Sequence, residues 1–329
     1  MIPVLNNIIF DTDMYMDCDD VGALAVLHHL SSRGKVNILA AVCDSVCDYG
    51  APCIECINRY YRHTMPIGTV KVNGFSTDSR YSQQRLRASR FNSRISYNEN
   101  IIRGTPFENK MAADYPDAVE VYRKVLSQQP DNSVTICVVG FLTAVEQLLK
   151  SGPDVYSDLD GPALLRQKAQ VLVCMSIVSP YTGTPAGGFN WEGDLTAARY
   201  VVAHSPVNIA ISSYGEDITT GELLRYKLPE DHPVRRAYEV YLNPAHLFRP
   251  VTNRPSWDQV AVLYASHTAP WLFHEKKPGM VAYSDSGNRF LWTGTTGERQ
   301  DLYIEPAVKV KKLEKIIEAM MSGMEEETE

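Results

Sequence analysis

The stretch that decides the fold is IIFDTDMYMDCDDVGALAVLHHL, residues 8–30. Its first residues belong to a mostly apolar run, residues 4–10, that is rich in Ile and typical of a buried strand. Residues 21–30 then place apolar side chains at helical spacing. Between the two lie five aspartates, Asp11, Asp13, Asp17, Asp19 and Asp20. The segment therefore predicts a strand, an acidic loop and a helix in direct succession.

The same alternation of strand and helix continues along the chain. Residues 36–43 and 133–139 predict strands, which are followed by helices at about 51–62 and at 142–150. Residues 170–177 and 207–212 are further candidates for buried strands, and residues 195–204 have helical spacing. Alternation of this kind implies a parallel sheet. We predict an α/β fold with an open, mainly parallel, doubly wound (Rossmann-like) sheet.

Neither an internal repeat nor a linker divides the 329 residues, so residues 1–329 are predicted to form a single domain. Residues 73–109 are rich in Ser, Arg and Asn and have little periodicity. We expect them to form a surface excursion that closes the site or carries oligomer contacts. The acidic tail, residues 322–329, is expected to fray.

Composition limits the partners. The net charge is −7 and no stripe of Lys and Arg offsets it, which argues against nucleic acid and favours a small neutral or cationic ligand. No run of residues is long and apolar enough to predict a membrane span, and residues 1–7 do not resemble a signal peptide. We expect a cytoplasmic location, with an export signal that has already been cleaved as the open alternative.

The seven cysteines favour reduced core thiols over a disulfide framework. Cys43, Cys47, Cys53 and Cys56 are close enough in sequence for a zinc site. However, Cys43 ends an apolar strand, and Cys53 and Cys56 lie on an apolar helix face, so core packing is the stronger interpretation.

Polar residues and glycine follow the predicted strands at the points where they end. Asp11 and Asp13 follow the first strand, Asp44 and Asp48 the second, and Gly140 the third. Ligands of open α/β sheets bind beyond the carboxyl ends of the strands, so these residues should converge.

Five carboxylates within ten residues repel one another, and burying them without compensation is costly, so the cluster implies a bound cation. All-oxygen ligands indicate Ca²⁺ or Mg²⁺. The loop is not an EF-hand, because the sixth position from Asp11 is Met16 and the twelfth is Gly22. The simpler alternative is a solvated acidic turn in which Asp19 or Asp20 caps the next helix.

Residues 8–13 and 19–24 resemble the signature of the nucleoside hydrolase family, Asp-x-Asp-x-x-x-Asp-Asp after a first strand, except that this loop is two residues longer. Three further segments are similar to the family in the right order. They are VVGFLT at residues 138–143, GFN at residues 188–190 with Asp194, and Trp257-Asp258 at the start of a helix. The resemblance extends from residue 8 to about residue 265.

The resemblance implies a Ca²⁺ ion held by Asp13, Asp20, Asp258 and the backbone carbonyl of Val139, with Asp13 as the catalytic base. It assigns substrate binding to Asp19 and Asn190 at the ribose hydroxyls and to Asp48, and it places Trp257 where other branches of the family have His. The Trp257 ring could bind the substrate by stacking on the base, and core packing is the equally open alternative. It also implies calcium-dependent hydrolysis of the N-glycosidic bond of a ribonucleoside or related riboside, to ribose and free base. Family members act in purine and pyrimidine salvage, and a homodimer or homotetramer is expected.

Two features leave the substrate and the acid open. Gly188 stands where the family usually has a Glu that binds the 5′-hydroxyl, which leaves room for a 5′-substituted or modified riboside. His246, His63 and His232 are the candidates for a general acid, although isolated histidines are more often structural. A predicted helix that carries Arg235, Arg236, Tyr238 and Tyr241 could form a mobile lid, and its simpler interpretation is a solvated helical face.

Two other classes of protein share part of this pattern. A haloacid-dehalogenase-like phosphatase would use Asp11 as nucleophile and Asp13 as acid and base around Mg²⁺, but no Lys with its acidic motif follows in the expected order. A non-catalytic homologue could bind calcium and ribose without turnover. The phosphatase would release free phosphate and the nucleoside hydrolase would release free base. The non-catalytic homologue would bind its ligand and release neither.

Overall fold

The computed structural model describes residues 5–15, 17–45, 47–71, 96–182, 184–185, 187–242, 252–294 and 299–324. Its strands are β1 Asn6–Thr12, β2 Val36–Cys43, β3 Ile67–Thr69, β4 Val134–Val138, β5 Ala169–Met175, β6 Thr184–Pro185, β7 Asn208–Ser212, β8 Thr219–Thr220, β9 Arg254–Pro255, β10 Phe273–Ser284, β11 Arg289–Thr293 and β12 Asp301–Pro306.

Its α-helices are α1 Asp19–Ser32, α2 Gly50–Tyr60, α3 Tyr97–Ile102, α4 Ala118–Ser127, α5 Thr143–Leu149, α6 Gly161–Lys168, α7 Phe189–Gly193, α8 Leu195–His204, α9 Leu224–Lys227, α10 Pro233–Leu242, α11 Trp257–Ala265 and α12 Val310–Met321. Two short 3₁₀ turns lie at Ala112–Asp114 and Pro270–Leu272. No helix in these described ranges is long and apolar enough to cross a membrane.

The strands form one large sheet in the order β3-β2-β1-β4-β5-β7-β12-β10-β11-β6, and β8 pairs with β9 separately. Neighbours from β3 to β12 run parallel, whereas β10, β11 and β6 are added antiparallel at one edge. The chain winds outward from β1 in one direction and from β4 in the other. The carboxyl ends of β1 and β4 therefore form the topological switch point, where ligands bind in sheets of this class.

Helices cover both faces of the sheet, which explains why its central strands are apolar on both sides. In β1, Ile8 and Phe10 pack into one core with Leu24 of α1, while Ile9 packs into the other core with Tyr122 of α4. Helices α1, α11 and α12 pack together on the first face, and α4, α5 and α6 on the second. The predicted open, mainly parallel α/β sheet is confirmed.

Two regions were not anticipated by the sequence patterns. The antiparallel strands β10 and β11 and the parallel strand β12 complete the sheet after residue 272. Within the predicted excursion at 73–109, residues 73–95 lie outside the described residues, but α3 follows them and buries Tyr97 and Ile101. Ser96 caps α3, because its hydroxyl accepts a hydrogen bond from the Glu99 amide at 3.2 Å.

Candidate metal and substrate site

The site begins where β1 ends beside β4. The Val139 amide donates to the Asp11 carbonyl at 2.8 Å, and the Asp44 amide donates to the Thr12 carbonyl at 2.8 Å, so three strand ends are tied together. Gly140 permits the closest approach: a Cβ atom there would lie 2.3 Å from the backbone nitrogen of Asp13. The predicted convergence of Asp13, Asp44 and Gly140 is thus explained by backbone pairing and by a glycine that leaves room for it.

Four carboxylates from two distant parts of the chain meet at this point. One oxygen each from Asp17, Asp19, Asp20 and Asp258 lies within 4.8 Å of the others. Asp19 and Asp20 open α1, while Asp258 lies in the first turn of α11. Helices α1 and α11 pack against each other, and this packing brings Asp258 to the acidic loop.

The oxygen atoms of the cluster lack enough donors. Asp19, Asp20 and Asp258 are 2%, 0% and 4% exposed, and Asp13 is 4% exposed. Thr12 donates to one oxygen of Asp20, but the second oxygen of Asp20, Oδ2 of Asp13 and Oδ1 of Asp19 have no hydrogen-bond partner. Buried carboxylate oxygens without partners are costly, and hard oxygen ligands of this kind suit a divalent cation.

Burial and mutual repulsion raise the pKa values of these carboxyl groups. Burial is the largest cause for Asp13, Asp19, Asp20 and Asp258, and neighbouring aspartates in the cluster add to it. A bound divalent cation has the opposite effect, because it stabilises the ionised forms. The donor set of Asp17, Asp19, Asp20 and Asp258 therefore fits a divalent metal ion, and Asp13, which has one buried oxygen without a hydrogen-bond partner, lines the cavity.

A cavity of about 310 Å³ opens directly onto the cluster. Carboxylates and apolar or aromatic side chains both line it, so it offers contacts for the polar and the apolar parts of a ligand. The lining residues are Asp13, Asp17, Asp19, Val139, Met175, Ile177, Phe189, Asn190, Tyr241, Arg254, Trp257 and Asp258.

A hydrogen bond to a backbone carbonyl holds the Asn190 side chain at the cavity wall. Its side-chain Nδ2 donates to the carbonyl of Val139 at 2.7 Å and lies 3.5 Å from the carbonyl of Met175. Because α7 begins at the neighbouring Phe189, the end of β4 and the start of this helix share one hydrogen bond. Gly188 has a φ of +87°, and a Cβ atom there would lie 2.6 Å from Ile177. A side chain at position 188 is therefore excluded on both backbone and steric grounds.

Trp257 and Asp258 are positioned by the loop after β7. The Ser256 amide donates to the carbonyls of Gly215 and Ile218 at 3.1 and 2.8 Å. Gly215 is required there, because a Cβ atom would lie 2.4 Å from the Cα of Trp257. The Trp257 ring is partly exposed on the cavity wall, so it is available for stacking in a way that a core residue would not be.

Sequence reasoning missed Arg254. Its Nη2 lies 2.5 Å from Oδ2 of Asp17, its Nε lies 3.6 Å from Oδ1 of Asp19, and its guanidinium is 5.6 Å from the Tyr241 ring centre. Burial alone would lower the pKa of Arg254, but the carboxylates of Asp17 and Asp19 outweigh that effect and raise it. The one signal in the sequence was the longer acidic loop, which adds a carboxylate that needs a counter-charge.

Several other predicted residues lie elsewhere. Asp48 is exposed and is not among the described residues that line the cavity. His63 and His232 belong to a ring cluster with His28 and Tyr60, again away from the described cavity wall, and His246 lies outside the described residues. The described part of the chain shows no cysteine in a group that could hold a metal, so core thiols replace the zinc alternative.

The helix predicted as a lid is α10, and it contributes one residue to the cavity. Tyr241 lines the wall, whereas Tyr238 is buried and accepts a hydrogen bond from Gln259 at 2.7 Å. Arg235 pairs with Glu239 at 2.9 Å. Arg236 contacts Asn100, two residues before the end of α3. This helix is packed rather than simply solvated on one face.

Three aspartates that are not among the described lining residues have hydrogen-bond partners within the fold: Asp11, Asp44 and Asp194. Tyr122 donates to Asp11 at 2.5 Å, and the Ala144 amide donates to Asp44 at 2.8 Å. Burial raises the pKa of Asp44 to about 7, although its hydrogen bonds oppose the shift. Asp194 accepts from Thr143 at 2.9 Å and from the Ala197 amide at 3.1 Å. Asp11 and Asp44 therefore brace the end of the sheet, while Asp13 faces the cavity.

Comparisons with known proteins show which solved structures have a similar fold. No protein-family model and no curated protein sequence matches the chain. The type III effector protein XopQ, solved with adenosine diphosphate ribose, is 14% identical over 97% of this chain and 94% of its own, with a TM-score of 0.70.

Two enzymes give similar superpositions. The inosine-uridine preferring nucleoside hydrolase from Bacillus anthracis is 15% identical over 97% of this chain and 100% of its own, with a TM-score of 0.62. The purine-preferring ribonucleoside hydrolase from Gardnerella vaginalis is 13% identical over 96% of this chain and 98% of its own, with a TM-score of 0.60. The chain has the fold of the nucleoside hydrolases.

Proposed function

We propose that this chain is an N-glycosyl hydrolase that uses one bound Ca²⁺ ion to cleave a riboside into ribose and a free base. The observation that carries the proposal is the meeting of Asp258 with Asp19 and Asp20, because residues 238 positions apart in the chain share one set of oxygen atoms within 4.8 Å. Asp13 and Asp19, each with a buried oxygen that has no hydrogen-bond partner, line a cavity that can hold a small ligand.

The metal would be held by the carboxylates of Asp13, Asp20 and Asp258 and by the carbonyl of Val139. When bound, the ion lowers the pKa of a coordinated water and orients it. Val139 and Asp13 both line the cavity, and the Asn190 hydrogen bond fixes the direction of the Val139 carbonyl. All-oxygen ligands favour a hard cation such as Ca²⁺ over softer metals.

In this mechanism Asp13 accepts a proton from water as the water oxygen bonds to the anomeric carbon. The bond between that carbon and the base nitrogen breaks, and its electron pair leaves with the base, which takes a proton from solvent. Asp19 and Asn190 would hold the ribose hydroxyls, and the surrounding carboxylates stabilise the positive charge that develops on the sugar. Trp257 offers its ring to the base.

The phosphatase alternative is poorly supported by the same geometry. Its nucleophile would be Asp11, which is 0% exposed, accepts a hydrogen bond from Tyr122 at 2.5 Å and is not on the described cavity wall. A nucleophile must reach the substrate. The relative solved with adenosine diphosphate ribose supports a ribose-containing ligand, which both the hydrolase and the non-catalytic binding alternative require.

The test is a panel of ribosides assayed for reducing sugar and free base, with added Ca²⁺ or with chelator. We expect base release that chelator abolishes, and Asp13→Ala should lower the rate by at least about 100-fold. Asp131→Ala is the control, because Asp131 is an exposed partner of Lys168. Phosphate release without base release would favour the phosphatase, and calcium-dependent ribose binding without any release would favour the non-catalytic homologue.

A further inference from the structure

The Asp17–Arg254 ion pair stands inside the cavity wall, where the mechanism proposed above gives it no task. Both residues line the cavity, and their charged atoms lie 2.5 Å apart. Asp17 belongs to the acidic loop, which is two residues longer than the family signature, and Arg254 lies four residues before Asp258. A pair made by residues 237 positions apart is part of the architecture of the site and is more than a local helix contact.

Arg254 contacts one member of the carboxylate cluster in addition to its partner. Its Nε lies 3.6 Å from Oδ1 of Asp19, and that oxygen has no hydrogen-bond partner. Arg254, Asp17 and Asp19 therefore form a connected triad on one side of the cluster.

The other side of the cluster is held differently. Thr12 donates to Asp20, and Thr12 ends β1, so Asp20 is fixed to the sheet. Asp258 is fixed by the packing of α11 on α1. The cluster thus divides into Asp20 and Asp258, which have no cationic side chain in contact among the described residues, and Asp17 and Asp19, which face Arg254.

This division matters because all four carboxylates are close enough to bind the same ion. Oxygens of Asp17 and Asp19 lie within 4.8 Å of those of Asp20 and Asp258. A divalent cation alone would attract every one of them, and a carboxylate oxygen that binds the ion directly has fewer lone pairs left to accept hydrogen bonds from a sugar. A fixed guanidinium competes for two of the four, since it is always charged and offers several donors in a plane.

We propose that Asp17 and Arg254 are positioning residues that keep the Asp19 carboxylate out of the metal shell and turned toward the hydroxyl groups of the riboside. Arg254 holds Asp19, and Asp17 holds Arg254. The pair selects substrates that carry a full set of ribose hydroxyls. The inference rests on the proposed function and adds the residues that set its sugar specificity.

Three variants separate charge from position: Arg254→Gln, Asp17→Asn and the double variant. Arg254→Gln removes a positive charge beside the metal, so the affinity for Tb³⁺ or Ca²⁺, measured by luminescence titration, should rise by about tenfold. Asp17→Asn removes a negative charge, and the affinity should fall by a similar factor. The double variant restores the net charge, and its affinity should return to within about threefold of the wild type.

Sugar specificity should follow a different order. The measurement is the ratio of kcat/KM for a ribonucleoside to that for its 2′-deoxy and 3′-deoxy analogues. The ratio should fall by about tenfold in both single variants and stay low in the double variant, because none of them holds Asp19 through Arg254. A purely structural role would lower kcat/KM for the ribonucleoside and its analogues by the same factor.

Arg235→Gln is the matched control, because Arg235 is similarly buried, pairs with Glu239 at 2.9 Å and does not line the described cavity. It should leave both metal affinity and the ratio unchanged. Equal metal affinity in wild type and Arg254→Gln, or an unchanged ratio in either single variant, would overturn the inference. If the wild type releases no base, the proposed function fails, and the metal affinities still decide whether Arg254 opposes the ion.

Discussion

Replacing Asp258 with Asn should stabilise the protein in chelator, and the same variant should be less stable than the wild type when calcium is present. Without metal, the ionised carboxylate of Asp258 is buried beside three others, so removing its charge should stabilise the fold. With metal, the same carboxylate is a ligand, and its loss should remove the stabilisation that binding provides. Asn has nearly the same shape as Asp, so the packing of α11 on α1 is preserved.

The size of the effect follows from the spacing of the cluster. Two ionised carboxylates 4.8 Å apart repel by roughly 3 kcal/mol at an effective dielectric constant of about 20. Protonation of the cluster relieves part of this repulsion, so we expect Asp258→Asn to gain about 1–3 kcal/mol in chelator, or roughly 2–6 °C in Tm. Calcium at about 1,000 times its Kd should add about 4.1 kcal/mol to the wild type and little to the variant, which exceeds the gain of the variant in chelator.

The assay is thermal unfolding followed by circular dichroism at neutral pH, for both proteins, in chelator and in a calcium series. Asp301→Asn is the matched control: Asp301 is fully buried, but it accepts from the amides of Ile209 and Val281 at 2.8 Å and pairs with Arg299. That control should lose stability equally in both buffers. The reasoning is refuted if Asp258→Asn is less stable than wild type in chelator, or if calcium stabilises both proteins equally.

Three further outcomes are expected. Gly140→Ala should weaken metal binding by about tenfold and cost about 1–3 kcal/mol, because its Cβ would lie 2.3 Å from the Asp13 nitrogen; Gly152→Ala, which meets nothing within 4 Å, should do neither. Trp257→Ala should cost about 1–3 kcal/mol in kcat/KM for a nucleoside and much less for a riboside with an activated leaving group. Burial lowers the pKa of His28 to about 4, so stability should fall by up to about 3 kcal/mol as pH drops from 6.5 to 4, and urea titrations should show a shallower fall for His28→Gln.

The parallel part of the fold could be predicted from the sequence, because its strands are covered by helices on both faces and are therefore mostly apolar. β1, β2, β4, β5 and β7 each contain a mostly apolar run, and each agrees with its predicted position to within a few residues. The later strands are different. In β10, five consecutive residues from His274 are exposed, so neither a buried run nor a strict alternation marks the strand. Its pairing with β12 is set by long-range contacts that no local pattern records.

The acidic half of the site was readable for a related reason. Carboxylates at the carboxyl end of a buried parallel strand lie at the end of the sheet where ligands bind, so the positions of Asp11 and Asp13 could be predicted from β1 alone. The sequence did not distinguish their tasks, because that depends on neighbours: Asp11 faces Tyr122 of α4, and Asp13 faces the cavity. Asp48 was expected at the cavity by resemblance, yet it is exposed outside the described wall, and its substrate contact stays a prediction.

Arg254 could not have been found from local pattern, because a single Arg before a Pro has many ordinary interpretations. Its role can be inferred only from the structure, in which Nη2 of Arg254 lies 2.5 Å from Oδ2 of Asp17. Adding Asp17 to a cluster that already repels itself would be unfavourable unless a positive charge came with it. The carboxylate of Asp17 in the longer loop and the guanidinium of Arg254 therefore depend on each other electrostatically. The proposed ion uses Asp20 and Asp258 of this cluster, and Arg254 is the cation that the chain itself supplies beside Asp17 and Asp19.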